Sequence, residues 1–561
     1  MRRRKKLWVG AMFAGFLGLQ SLQAAAQTSE PAQMSGNTFN TVGGWTVKPL
    51  ITVGEQNGAG QDINLKKFGY RVPGILDGIG VFPGGRNEVL VLVNHEFNSD
   101  AGYTYKLANG TPLTGARVSY FKLDTRSKKV TAAGLAYDTV FDRAGAMVSN
   151  ETQINEGADV GGFDRLCSAY GIKKADGNFT TDLYFTGEET SSGLGGQEAV
   201  IDVRNKVAYF VPMLGRAAFE NVTTVDTKGT NKVALIIGDD RAPAPLLLFI
   251  GEKGSVPAGR TYNPPQFLID NGLANGNLYV WVADNGDTTP QEFNGTGNDR
   301  TGKFVKIAHF DPAQAGMPGY DSLGFASLTT QDALAASAGA FLFSRPEDVA
   351  TNPHDGTQVV MASTGRGQLY PADNWGTIYR IDLEFVGAGA LNQPLADIDN
   401  ISANLDILYD GDDAGNQDFG IRSPDNLDWS ANGMIYINED RSTSPGSLFG
   451  GISGIDASAW QLDPATGVAS RILEMNRSAV PQGQTDPDPT DIGNWESSGV
   501  VDVSEFFDTK KTMLIMTTQA HNVRDGLIGG SENLVEGGQL FLAEGGERDA
   551  KRDHRRRLEP Q

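Results

Sequence analysis

Glu220-Asn221-Val222, Glu347-Asp348-Val349 and Asp425-Asn426-Leu427 repeat one short pattern, a carboxylate two residues ahead of an aliphatic. After each comes a polar turn, Lys228-Gly229, Asp355-Gly356 or Asn432-Gly433, and then an aliphatic run at 233–237, 359–362 or 434–438. Two of these runs finish alike, in Gly238-Asp239-Asp240-Arg241 and Asn438-Glu439-Asp440-Arg441. A recurring strand-turn-strand unit is the sequence signature of a propeller, which returns equivalent positions to equivalent places around an axis. Here the equivalent position is an acid. Carboxylates gathered by pseudo-symmetry either repel one another or share cations, and shared cations make a metal site.

The rest of the chain reads as strands too. Short aliphatic runs at 89–93, 119–123, 182–186, 207–211, 246–250, 278–283, 305–310, 377–383, 460–462, 513–517 and 539–543 are separated by Gly, Asp and Asn turns. Helical signals are sparse, with 332–340 the one short candidate, and this excludes a doubly wound α/β sheet. The gaps between the repeated acids each suit one or two blades of ~40 to 50 residues. Glu496 is a fourth member on this reading, because Glu220 and Glu496 are both followed at the fifth and sixth positions by Val-Asp. The expectation is an all-β fold, a single β-propeller of about six blades with insertions, spanning 45–546. Its last strands, around Leu540 to Leu542, are placed to close against N-terminal ones. Residues 27–44, polar and small, are expected to be flexible, and the charged tail 547–561 with Arg555-Arg556-Arg557 to be disordered.

Residues 1–26 stand apart. Arg2-Arg3-Arg4-Lys5-Lys6 is a basic region, 7–19 is apolar, and Ala24-Ala25-Ala26 offers small residues for a signal peptidase. The apolar run is shorter than the ~20 residues of a spanning helix, so export followed by cleavage before Gln27 is expected, into the periplasm or out of the cell. The paired arginines suit a twin-arginine signal, while Lys6, where that signal wants an apolar residue, suits the general secretory route. No later stretch is long and apolar enough to span a membrane, so the mature form is expected to be free of it.

The formal charge is -21, and losing the leader removes basic residues and no acid. Such a surface is a poor partner for nucleic acid or anionic lipid. An acidic exported protein meets millimolar calcium, at which weak oxygen-ligand sites fill. Cys167 is the sole cysteine, which excludes an internal disulfide. A lone thiol in an exported chain is either buried and inert or bound to something.

Further acids cluster at Asn94-His95-Glu96, Gly187-Glu188-Glu189 and Asp412-Asp413. Arg345 precedes Pro346-Glu347, setting a planar fork of donors beside a candidate metal carboxylate; it suits a phosphate dianion or a structural salt bridge equally. There is no Gly-x-Ser-x-Gly elbow, no His-Glu-x-x-His helix and no P-loop, and five histidines in all make a multi-histidine site improbable. Oxygen-rich coordination suits calcium.

Asn94-His95-Glu96, Leu166-Cys167-Ser168, Gly187-Glu188-Glu189, Gly215-Arg216-Ala217-Ala218-Phe219-Glu220, Gly238-Asp239-Asp240, Arg345-Pro346-Glu347-Asp348 and Pro424-Asp425-Asn426 occur in the order seen in PhoX-type alkaline phosphatases. The chain resembles that family from about Val91 to His521. It resembles a divergent branch, since the family surrounds its cysteine with an Asn-rich approach and a Gly-Gly-x-Thr-Pro-Trp segment, whereas here Cys167 lies between Asp164-Arg165-Leu166 and Ser168-Ala169-Tyr170. The resemblance implies a secreted propeller that hydrolyses phosphate monoesters at an axial iron and calcium centre. It implies that Cys167 is a thiolate ligand to iron, that Glu220 and Glu347 are carboxylates on the cluster, and that Arg345 clamps phosphate. Glu96, Glu188, Glu189, Asp239, Asp425 and Glu496 become candidates for calcium. The substrate is then a small-molecule phosphate ester. Two other readings stand beside this one: a calcium-stabilised propeller that binds a ligand or partner without turnover, and a calcium-dependent phytase or lactonase-type propeller hydrolase.

Overall fold

Six four-stranded antiparallel units follow one another along the chain, and the computed structural model describes residues 28–154, 161–385, 391, 393–530 and 533–547 of them and their connections. The expected leader, and the tail beyond residue 547, lie outside the described residues.

Blade one is Leu76–Pro83, Glu88–His95, Arg117–Asp124 and Lys129–Leu135. Blade two is Leu166–Ile172, Leu183–Glu188, Glu198–Asp202 and Val207–Phe210, with Thr139–Phe141 added in parallel outside. Blade three is Phe219–Val225, Lys232–Asp239, Leu247–Glu252 and Gly276–Ala283, extended by Gly302–Ile307. Blade four is Pro346–Thr351, Gln358–Ser363, Thr377–Glu384 and Asn400–Asp410; its last strand pairs with Gly302–Ile307, so blades three and four share one sheet. Blade five is Pro424–Trp429, Ile435–Glu439, Ser458–Asp463 and Val468–Met475.

Blade six closes the ring with strands from both ends of the chain. Glu496–Asp502, Lys511–Ala520 and Gly537–Glu547 come from the C-terminal part, and Thr46–Thr52 pairs with the last of them, Ile51 opposite Leu540 and Lys48 opposite Leu542. The first strand of each blade lines the axis, and these six strands adjoin one another in a closed circle. Apolar residues of neighbouring blades fill the space between them, as where Val225, Leu248 and Trp281 of blade three meet Met361, Tyr379 and Leu405 of blade four. Among the described residues the one long helix, Leu328–Ala338, runs between Ser327, whose side chain accepts from Thr330 N, and Gly339 in the left-handed conformation.

The N-terminal segment departs from the flexible reading. Met34–Ser35 adds a fifth strand to blade five, Met34 is fully buried, and the Gln33 backbone donates to Gln539 Oε1 at 2.9 Å. A polar, small composition looks loose in isolation, but here the backbone groups of the segment find partners on a sheet edge.

Candidate metal centre

Every axial strand carries the same irregularity. Pairing with the second strand of its blade slips between Leu76 and Ile79, Leu166 and Ala169, Phe219 and Val222, Pro346 and Val349, Pro424 and Leu427, and Ser497 and Val500. Two residues thus face one across each slip, which is a β-bulge, a device that re-aims side chains. The first bulged residue is Asp77, Cys167, Glu220, Glu347, Asp425 and Ser498 in turn. This is the repeated acid of the sequence, and it is held by five blades as an acid or a thiol.

The second bulged residue ties neighbouring blades together. Asn221 donates to Asp348 and accepts from Val349 N at 2.9 Å. Asp348 Oδ2 in turn accepts from Leu427 N at 3.0 Å and from Ser168 Oγ at 3.1 Å, and Asn426 donates to Asp77 Oδ1 at 3.2 Å. The blades approach closely at this level: a Cβ on Gly238, opposite the bulge of blade three, would lie 1.9 Å from Glu347 O.

A second ring comes from the ends of the second strands. Opposite the residues that open the bulges stand His95, Glu188, Asp239, Ser363, Glu439 and Thr518. Alternation sends these between the blades and sends the next residue, Glu96, Glu189, Asp240 or Asp440, toward the axis. The two rings meet in a cavity of about 210 Å³. Eight carboxylates line it, those of Glu96, Glu189, Glu220, Asp240, Glu347, Asp425, Asp440 and Glu496, together with Cys167, against the cations Arg165 and Arg345 and the imidazole of His521.

The crowding shows in the acidities. Burial, then Glu347 and Glu189, push Glu220 well above the ordinary carboxylate range. Burial likewise raises Glu189, Glu347 and Asp425. Burial and Glu96 raise Asp77 to about 7. Burial raises Glu496 to about 8, against a hydrogen bond from His521 that lowers it. Burial pushes the Cys167 thiol up, with Asp77 and Glu220 adding to it. Asp240 is the exception: burial raises it, but the Arg345 guanidinium outweighs that and leaves it below the ordinary range.

The donors fall into three overlapping sets, Asp77 with Glu96 and Cys167, Cys167 with Glu189 and Glu220, and Glu220 with Glu347 and Asp425, each with its ligand atoms within 4.8 Å of one another. Asp425 Oδ1 is buried and has no hydrogen-bond partner. A buried carboxylate oxygen left unpaired among other acids is stabilised by a cation, and one soft sulfur within a hard oxygen set accommodates two kinds of metal. The residues present therefore fit a polynuclear centre of oxygen-preferring cations with one thiolate-preferring partner.

Arg345 leads into the blade-four strand with φ of 67°, in the left-handed region. Its Nε and Nη2 donate to the two oxygens of Asp240 at 2.6 and 2.9 Å, Nη2 lies 2.8 Å from Glu347 Oε1, and Nη1 lies 3.5 Å from Asp440. On the far wall His521 Nδ1 is 2.6 Å from Glu536 Oε2 and Nε2 is 3.6 Å from Glu496 Oε2. Burial lowers that imidazole's affinity for a proton, yet its hydrogen bonds to Glu496 and Glu536 raise it to about 10.

Of the residues singled out in the sequence, Cys167, Glu220, Glu347, Asp425, Glu96, Glu189, Glu496 and Arg345 all come to this cavity. Two do not. Glu188 accepts from Asp164 N and Gln197 Nε2 at 3.2 and 3.1 Å, and Asp239 is gripped by Arg241 through Nε and Nη2 at 2.8 and 2.6 Å. In each acidic pair it is the second carboxylate that reaches the axis. Glu496 arrives by a different route from the one expected: it stands two residues ahead of the bulge, level with Arg345, and Ser498 occupies the position equivalent to Glu220. The sequence reading passed over Asp77, although Asp77-Gly78-Ile79 follows the founding pattern, and Arg165, although it precedes Cys167 as Arg345 precedes Glu347.

The model of the family described as alkaline phosphatase PhoX matches residues 202–484. The chain belongs to the PhoX family. It is thus an alkaline-phosphatase-like hydrolase of a metal-dependent family. The matched stretch holds Glu220, Asp240, Arg345, Glu347 and Asp425. Among solved structures, "Pseudomonas fluorescens PhoX in complex with vanadate, a transition state analogue" is similar over 93% of this chain and 97% of that one, with a TM-score of 0.58 and 18% identity, a likeness of fold. The β-propeller domain of the trilobed protease from Pyrococcus furiosus aligns over 81% of this PhoX-family chain and 97% of its own, at 7% identity with a TM-score of 0.27. No curated protein matches.

Proposed function

We propose that the chain is a phosphomonoesterase that works through an iron and calcium centre in the axial cavity. The observation that carries this reading is the run of three overlapping donor sets, linked through Cys167 and Glu220, at the axis of a PhoX-family propeller. Cys167, Glu220 and Glu347 would hold iron, and Glu96, Glu189, Asp425 and Glu496 would hold calcium. When bound, the cations neutralise the phosphoryl group and activate water for in-line attack.

The chain's own residues do the rest. Arg345 is pinned by Asp240 on its Nε and Nη2 edge, which orients the fork, and its Nη1 is only loosely engaged by Asp440. That geometry presents donors to a phosphate oxygen with little left to reorganise. Asp440 and Glu496 confine the ester from the blade-five and blade-six sides, and the buried floor of Asp348 and Asn221 keeps the ligand level rigid. No serine or histidine nucleophile is required. The leader at residues 1–26 would deliver the enzyme to the periplasm or the medium, where calcium is plentiful; among the described residues no helix is long and apolar enough to cross a membrane.

The test is purified mature protein with p-nitrophenyl phosphate at alkaline pH. Turnover is expected, with loss on chelation, iron and calcium by elemental analysis, and inhibition by vanadate. Calcium without iron and no turnover would favour the non-catalytic propeller instead.

A further inference from the structure

The position two residues ahead of each bulge forms a third ring: Ile75, Arg165, Ala218, Arg345, Ser423 and Glu496. Four of the six have left-handed backbone, Ile75 with φ of 47°, Arg165 45°, Arg345 67° and Ser423 44°, so the chain swings onto the axis by the same turn in blades one, two, four and five. Only two of the six are cationic. Arg165 and Arg345 therefore rise from the same level by the same backbone route, two blades apart, and both line the cavity.

We infer that Arg165 is a second phosphate-binding guanidinium, which meets the phosphoryl oxygens from the blade-two side while Arg345 meets them from blade four. The inference rests on the phosphatase reading and adds a residue to it. Arg165 is the more open of the two, its side chain 43% exposed against 19% for Arg345. Its Nε and Nη2 donate to Glu189 Oε2 at 3.1 and 2.5 Å, and Nη2 also lies 2.5 Å from Glu96 Oε1. Nη1 has no part in these contacts. Bound cations would compete with Arg165 for Glu96 and Glu189, leaving more of the fork available to an anion.

A purely structural role explains less. Blades one and two are already joined by Asn94 Nδ2 donating to Cys167 O and Ser168 O at 2.8 and 2.9 Å, and by Tyr184 donating to Asn94 Oδ1 at 2.8 Å. A half-exposed ion pair adds little to such a seam. A long side chain on left-handed backbone is strained, and strain of this kind gathers where a side chain must be aimed.

Equilibrium dialysis with inorganic phosphate on the metal-loaded protein tests this directly. Arg165→Ala, and Arg165→Gly, which accepts the positive φ without strain, are each expected to weaken phosphate binding about 10- to 100-fold, the loss of a charge-assisted hydrogen-bond pair. KM for p-nitrophenyl phosphate should rise in parallel, with kcat within a few-fold and metal content unchanged. Unchanged phosphate affinity in both variants, with metal content or thermal midpoint altered instead, would overturn the inference. If the unmodified protein binds phosphate through Arg165 but turns over no ester, the inference stands and the phosphatase reading fails.

Discussion

Cys167 shows how one atom can decide the chemistry of a site. Its Sγ is buried and 3.3 Å from Asp77 Oδ2, and burial with Asp77 and Glu220 nearby opposes the thiolate. A thiolate is stable there only beside a cation, and a sulfur ligand selects a softer metal than the carboxylates do. Cys167→Ala is expected to remove iron while leaving calcium and fold, with activity falling to background; elemental analysis beside circular dichroism checks it, and full iron retention refutes the assignment. The same residue marks how far the sequence could be read. Glu220, Glu347 and Asp425 were legible as equivalent because an acid two residues before an aliphatic survives in the letters, whereas Cys167 entered only through the family resemblance and its equivalence to them shows only in the register. Asp77 carries the same letters but lies outside the turn-and-strand repeat that drew attention to the others. Which of Asp239 and Asp240 faces the axis was not legible, since it depends on register, and a one-residue slip exchanges the two faces.

At the scale of the strand, the bulge is the working element. A regular strand would send Glu220 and Asn221 to opposite faces, and no acid would reach the axis together with a tie to the next blade. Asn221 is buried and satisfies both Asp348 and Val349 N. Asn221→Ala leaves those groups unpaired in a dry seam, at a cost of about 1–3 kcal/mol for each. Urea unfolding is expected to show destabilisation of that order, with reduced metal affinity because Glu347 precedes Asp348 in the same bulge. The Glu496 result belongs here too. Its Val-Asp echo of Glu220 suggested equivalence, but the bulge of blade six opens at Ser497, and the echo falls two residues out of step. Sequence similarity counts residues, whereas pseudo-symmetry counts hydrogen-bond registers.

At the scale of the molecule, a ring of blades must be closed, and the closure is made by Thr46–Thr52 beside Gly537–Glu547. Trp45, just ahead of that strand, is buried and packs edge-on against Tyr436 of blade five with centroids 5.9 Å apart. Trp45→Ala is expected to cost about 3–5 kcal/mol by urea unfolding. The same ring holds like charges together at its centre, which makes stability a matter of cations and pH. In chelated protein, Asp77 near 7 and Glu496 near 8 lie above their ordinary values of 3.8 and 4.5. A carboxyl whose acidity is weakened by folding favours the folded state fully below its ordinary value, and that contribution is lost as pH rises through the folded one. Chelated protein should therefore melt at a lower temperature at pH 9 than at pH 5. On the proposed calcium reading, added calcium is expected to bind the ionised acids of the folded state and to raise the midpoint most at pH 9, reversing the trend. Calorimetry at both pH values, with chelator and with calcium, checks the sign. A chelated midpoint that rose between pH 5 and pH 9 would mean that the axial acids are already stabilised as anions by the protein itself, and that cations are not what the cavity is built to hold.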